Sequence, residues 1–252
     1  MGTSSSYKGS NGKIPRAMRE GFEGWAKSQS KSKKTDLPAN VVAQALRIPL
    51  YSRGSGGGGG TGGSTSGAAG GRQSSPQRTV GSYARTAGRA AELARAFRAG
   101  DRQAIERAGL DFDALSQLPS RAEIVRAIVD VVCAAQTTSD IASEEQRAIA
   151  GKLVDWMMDE SLNSELPDAA ETAEHAIGLI AAEIFISEAG DTLVGNDEVS
   201  RDELIDGINE TSQVLAAQAD LASGATDAAS IEKAITKGVR ALRKIYKPES
   251  SA

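Results

Sequence analysis

Apolar positions recur every three or four residues through the second two-thirds of the chain. Val80, Tyr83, Ala87, Ala90, Ala94 and Phe97 share one face at the 3.6-residue period, and Gly100 stops the run. A shorter run from Arg102 to Ala108 stops at Gly109. Ser120-Arg121-Ala122-Glu123 reads as a capping box, in which the serine oxygen takes an orphan N–H and the glutamate reaches back. Behind it Ile124, Ile128, Val131 and Val132 form a stripe that ends at Cys133. Ser143-Glu144-Glu145-Gln146 predicts another helix start, with Ile149, Leu153, Trp156 and Met157 inward. Asp168 predicts a cap for a helix carrying Ala173, Ile177, Ile180, Ile184 and Phe185. Ser200-Arg201-Asp202-Glu203 also reads as a capping box, followed by Leu204, Ile208, Leu215 and Ala219, and Asp227 to Tyr246 carries Ile231, Ile235, Val239, Leu242 and Ile245. No convincing strand alternation occurs. The pattern predicts an all-α helical bundle of roughly seven helices over residues 78–252, packed closely through alanine-rich faces.

Residues 1–77 read as different material. Ile14, Met18, Phe22 and Trp25 do recur at helical spacing, but Gly21 and Gly24 lower the intrinsic helicity of that segment. The expectation is a stretch unfolded in isolation that docks as a helix in a partner's groove or lies on an anionic surface. Val41, Val42, Leu46, Ile48 and Leu50 form a second patch, interrupted by Pro49. It either packs back on the bundle or belongs to the tail, and the pattern leaves both open. From Gly54 to Gly71 the chain is Gly/Ser/Thr-rich, a composition unable to offset its own ordering entropy. About 20 such residues span on the order of 25 Å as a flexible coil. The whole of 1–77 is thus expected to be a long, mostly disordered basic tail.

Charge sharpens the division. The first 77 residues hold 11 basic and 3 acidic side chains, a net of +8, while the remainder holds 18 and 30, a net of −12. Lys8, Lys13, Arg16, Arg19, Lys27, Lys31, Lys33 and Lys34 suffice for salt-sensitive, non-specific attachment to nucleic acid. The acidic remainder would oppose it, and no groove-reading helix is evident.

Candidate chemistry is sparse. One His and one Cys exclude most catalytic sets. Cys133 falls on an apolar face, as a structural thiol does. His175 follows Glu171-Thr172-Ala173-Glu174, which fails the Glu-x-x-His spacing of a di-iron bundle, and no second His completes a metal shell. It is expected at the surface or at an interface. No Gly-Lys-Ser/Thr follows the glycine tract, so it is no phosphate loop. No secretory pattern and no apolar run of membrane-spanning length is found. These features predict a cytoplasmic protein with no membrane association, no cofactor, no metal and no catalysis of its own.

The leader Met1-Gly2-Thr3-Ser4-Ser5-Ser6-Tyr7 carries the sharpest signal. A small second residue permits removal of Met1, which would leave a glycine amine with a pKa near ~8, against ~10.4 for lysine. The plain alternative is an ordinary leader. Taken in order with the glycine-rich connector, Val80-Gly81-Ser82-Tyr83-Ala84-Arg85, Gly88-Arg89-Ala90, Val129-Asp130-Val131-Val132-Cys133 and Ala181-Ala182-Glu183-Ile184-Phe185, it resembles the QatB family. That family is the small non-catalytic component of the Qat antiphage defence system. The resemblance covers the leader and the helical domain, but not clearly residues 14–50.

The resemblance implies three operon partners: a QueC-type enzyme, an ATPase and a TatD-type nuclease. It implies that Gly2 is the acceptor amine for a deazapurine activated with ATP, and that Thr3, Ser4, Ser5, Ser6 and Tyr7 thread into the enzyme. The glycine tract would give that tip its reach. Gly2 with Ser6 also fits an N-myristoylation pattern, for which a bacterial source would supply no enzyme. The other reading is a structural adaptor whose acidic bundle docks an ATPase or nuclease while the basic tail attaches to nucleic acid.

Overall fold

The computed structural model describes residues 10, 12–29, 35–50, 78–134, 141–194 and 199–247. Among these the architecture is all-α. The elements are α1 (Lys13–Gln29), α2 (Ala39–Val42), a 3-10 turn (Ala45–Leu50), α3 (Val80–Arg98), α4 (Arg102–Arg107), α5 (Phe112–Ser116), α6 (Arg121–Val132), α7 (Ile141–Met158), α8 (Ala169–Glu188), α9 (Gly190–Val194), α10 (Arg201–Ala217) and α11 (Ala228–Ile245). The seven expected helices are α3, α4, α6, α7, α8, α10 and α11. The periodicity missed α1 as a folded element, and it missed the short α2, α5 and α9.

Local chemistry sets most boundaries. Thr79 opens α3 with a reciprocal box: its side chain accepts from the Ser82 N–H, and the Ser82 hydroxyl oxygen accepts from the Thr79 N–H. Asp168 and Glu171 make the same exchange at α8. Ser120, Ser200 and Asp227 cap α6, α10 and α11 by accepting the N–H three residues on. Ser143 departs from expectation. It is buried inside α7, which starts at Ile141. Gly100 ends α3 at φ +70°, with the Gly100 N–H on Phe97 O and the Asp101 N–H on Ala96 O. That double closure needs a left-handed residue, which glycine supplies without steric cost.

Helix α8 is the axis of the body. Buried residues lie all round it, as in a helix that neighbours enclose. Helices α7, α10 and α11 pack along it, and α3 lies against α7 and α11. Small residues set the closest crossings. A Cβ on Gly88 would stand 2.5 Å from the Ala228 carbonyl oxygen, so only glycine lets α3 and α11 meet there.

The tail reading needs correction. Met18 and Phe22 are fully buried and Trp25 nearly so, and Ile14 packs partly buried against the same core. Phe22 meets Phe185 of α8 edge-on at 5.2 Å between ring centroids and stacks on Trp25 at 5.6 Å. The proposed partner-docking face of α1 is therefore occupied within its own chain. Gly21, read as a helix weakener, is a contact point: a Cβ there would meet Val41 Cγ2 at 2.9 Å. Burying three large side chains offsets weak helicity, since about 1.5–3 kcal/mol accompanies each such burial. Val42, Leu46 and Ile48 are buried in the same core, so the second patch packs back on the bundle. A division between tail and domain at residue 77 does not survive for residues 12–29 and 35–50. The leader and the glycine tract lie outside the described residues.

Candidate functional site

Four structural elements begin or end at one place. Ser10 precedes α1, Arg78 precedes α3, Glu145 lies in the second turn of α7, and Ser187 and Glu188 close α8. Their side chains form one buried polar joint. Arg78 spans it: Nη1 donates to Glu188 Oε1, and Nη2 donates to Glu145 Oε1 at 2.5 Å and to Ser187 Oγ at 2.9 Å. Glu145 also accepts from the Tyr83 hydroxyl and from Ser187 Oγ.

The Glu188 side chain has no solvent exposure. It accepts from the Ser10 N–H at 2.5 Å and the Ser10 hydroxyl at 2.7 Å, and Arg19 Nη1 lies 3.4 Å from Oε2. Arg19 Nη2 also donates to Ser10 O at 3.1 Å. Two guanidiniums thus balance two carboxylates, and hydrogen bonds fill the remaining positions. That combination makes burial of the charges tolerable.

The environments of the two carboxylates differ. Burial raises Glu145 above the usual carboxylate range, against the pull of Arg78 and the hydroxyl donors. Burial would raise Glu188 as well, but the Ser10 N–H, the Ser10 hydroxyl and Arg78 outweigh it and hold the group below its ordinary value. Burial, then the charge of Glu145, pushes the Tyr83 phenol far above its ordinary value, so it stays a neutral donor. The joint ties together the segments that precede α1 and α3, the start of α7 and the end of α8.

This joint was not read from the sequence. Glu145 and Glu188 stand in helices that also carry solvent-exposed charges such as Glu144, Lys152 and Glu171, and Arg78 precedes the first periodic residue. The faint available signal was the polar pair Ser187-Glu188 directly after the apolar run Ile184-Phe185-Ile186. Of the residues that the sequence did single out, Gly2, Thr3, Ser4, Ser5, Ser6 and Tyr7 lie outside the described residues, though Ser10 shows where that segment joins the body. Arg19, counted among the tail's free charges, is committed to the joint. Cys133 is buried, and burial raises its thiol. His175 is half-buried and stacks on Trp156 at 4.0 Å between ring centroids; burial lowers its pKa to about 4.

A second feature is a groove of about 350 Å³ between α10 and Trp25, Gln29, Thr35, Asp36, Leu37 and Ala39. Trp25, Leu37 and Leu204 floor it, and carboxylates rim it. Trp25 Nε1 donates to Thr35 O at 2.7 Å, and the Thr211 hydroxyl donates to Leu37 O at 3.2 Å, fixing the two walls. A Cβ on Gly207 would come within 2.8 Å of the Trp25 ring, so glycine admits the indole.

Among the described residues no group of three His, Cys, Asp or Glu is placed to hold a metal ion, and no helix is long and apolar enough to cross a membrane. No family model, curated protein or solved structure matches the chain.

Proposed function

We propose that the chain is a non-catalytic component of a bacterial antiphage defence operon that presents the Gly2 amine to a QueC-type partner for conjugation to a deazapurine. The resemblance of the leader motivates the reading, and the anchorage of Ser10 supports it. Backbone and hydroxyl of Ser10 are both held by Glu188, so the leader springs from a fixed point on a folded body. Eight Cα-to-Cα steps lead from Gly2 to that point, which limits the reach of the amine to about 29 Å. The glycine tract does not set this reach. It joins Leu50 to Arg78, two parts of the same body, so the enzyme must approach the joint itself.

Conjugation needs an unprotonated amine. At pH 7 roughly a tenth of an amine with pKa near ~8 is unprotonated, far more than of a lysine near ~10.4. The amine attacks the activated carboxyl, the amide C–N bond forms as the C–O bond to the nucleotide breaks, the nucleotide leaves with that electron pair, and the amine nitrogen gives up one proton to solvent. Intact-mass and peptide analysis after incubation with the QueC-type partner, ATP and a carboxyl-deazapurine tests this. A mass gain confined to the N-terminal peptide and abolished by Gly2→Pro is expected. A chain that gains no mass, or defence that persists with residues 2–7 replaced by an unrelated flexible peptide, overturns it. The adaptor reading, in which acidic surfaces dock an ATPase or nuclease, would then stand.

A further inference from the structure

Residues 78–252 are acidic as a sum, yet their last helix runs the other way. Among its 18 residues α11 has five basic side chains and one acidic one, Glu232, which lies 3.8 Å from Arg85 of α3. Ile231, Ile235, Val239 and Leu242 are fully buried. Gly238 presses the helix onto α8: a Cβ there would stand 2.5 Å from Ile177 Cδ1. At 3.6 residues per turn the opposite face holds Lys233, Lys237, Arg240 and Lys244, within about 60° of one another around the axis. All four are exposed, as is Lys247 just past the helix. They make a straight row about 16 Å long on a helix whose other face is locked in the core. Two more guanidiniums are held near its end. Arg243 Nε donates to Leu46 O at 2.6 Å, and Arg47 Nη1 donates to Tyr246 O at 3.3 Å. Burial, then the charges of Arg47 and Arg240, lowers Arg243 to about 10, so the three arginines stand close together and Arg243 keeps its charge at pH 7.

We infer that the outer face of α11 holds the phosphate backbone of a nucleic-acid duplex through Lys233, Lys237, Arg240 and Lys244, without reading its sequence. Three features select this occupant. The row is cationic from end to end, so its complement is a polyanion. It contains no aromatic or large aliphatic side chain, and Ile245, though exposed, lies about 100° round the axis from Lys244. A protein interface wants an apolar anchor at its centre and is depleted of lysine there, whereas a single strand wants aromatic rings on which to stack its bases. Lastly, the row is straight and borne on a packed helix, and about 16 Å spans about five base pairs of backbone, at about 3.4 Å per phosphate along one strand. Lysines on flexible stems meet such phosphates as point charges, whatever the bases. The acidic charge elsewhere on residues 78–252 disfavours the same contact on other faces. Any carboxylate of the chain that also reaches the row competes for one contact and leaves the others. Neither modification of Gly2 nor the basic side chains of residues 8–34 enter into it.

Fluorescence anisotropy on the full chain tests it with two labelled DNA duplexes of unrelated sequence and about 20 base pairs, one of their single strands, and a labelled polyglutamate peptide of about 20 residues. Both duplexes should bind alike, within about threefold. Binding should weaken on the order of a hundredfold as salt rises from about 0.05 to about 0.2 M, the slope of about four phosphate contacts. The single strand should bind at least about fivefold more weakly, and polyglutamate more weakly still. K233Q/K237Q/R240Q/K244Q should bind the duplex at least about thirtyfold more weakly at about 0.05 M salt and lose most of the salt slope, whereas K233R/K237R/R240K/K244R should keep both. K8Q/K31Q/K33Q/K34Q, which leaves α11 intact, should lose less than about threefold. The four α11 side chains are exposed, so circular dichroism should report an intact fold; should the glutamine variant not fold, Lys237→Gln alone should lower the slope by about one. No duplex binding, undiminished binding by the glutamine variant, a larger loss in K8Q/K31Q/K33Q/K34Q, or equal or tighter binding of the single strand or of polyglutamate overturns the proposal.

Discussion

Helices α1 and α3 enter the same body from the same joint, yet they hold to it by opposite means. Helix α3 buries a dense face of small residues, with Ala84, Ala87, Ala90, Ala91 and Ala94 fully enclosed and Gly88 in contact with the α11 backbone. Helix α1 buries a sparse line of large ones, Met18, Phe22 and Trp25, and leaves much of its remaining surface to solvent. Alanine faces bring backbones close, so their stabilisation is spread over many contacts. Large anchors concentrate it in a few, and such a helix can sit in a glycine-bearing, basic stretch that looks like a tail. What the two share is Glu188, which receives Ser10 ahead of α1 and Arg78 ahead of α3.

The largest expected effect therefore falls on α1. Phe22→Ala should cost about 3–5 kcal/mol by chemical denaturation, as for a fully enclosed aromatic. A tail helix only loosely associated would show a loss below about 1 kcal/mol, and the comparison would fail.

The shared joint comes next. Arg78→Met leaves Glu145 and Glu188 buried without their common cation, and should destabilise by about 3–4 kcal/mol. A double-mutant cycle with Glu188→Gln should show strong coupling. Additive losses would mean that Arg78 serves mainly by packing.

A titration probes burial on α8, the helix that both α1 and α3 reach through the joint. His175 titrates near its ordinary 6.5 in the unfolded chain and near about 4 in the folded one, because burial disfavours the charged ring. The unfolded state therefore takes up the proton first as pH falls. This contribution is fully present above pH 6.5 and is lost progressively down to about pH 4, by about 3 kcal/mol. Glu145, raised by burial, acts in the opposite sense over part of that window. The stability difference between the native chain and His175→Phe isolates the histidine, and a pH-independent difference would refute the assignment.

The smallest effect distinguishes the packing modes. Gly88→Ala should cost about 1–3 kcal/mol, since the added carbon strikes backbone that has little freedom to move. Gly24→Ala on α1, where a Cβ meets nothing within 4 Å, should instead stabilise by a fraction of a kcal/mol through helix propensity. Equal responses at the two sites would remove the distinction between a crowded face and an open one.

The all-α class, seven of the helices and several of their caps were legible in the chain itself, because periodicity and capping are local: Ser120, Asp168 and Ser200 need only the next turn to act. The role of residues 13–29 and 35–50 was not legible. Intrinsic propensity ranks Gly21 and Gly24 as weaknesses, and only the positions of Val41 and Phe185 make α1 a packed helix. Nor could spacing link Arg78 to Glu188, 110 residues apart, or gather Asp36 and Glu210 across one groove. A charged side chain carries the same local pattern whether it ends in water or against a distant partner. Tertiary packing alone decides which, by setting the cost of desolvation and supplying the groups that offset it.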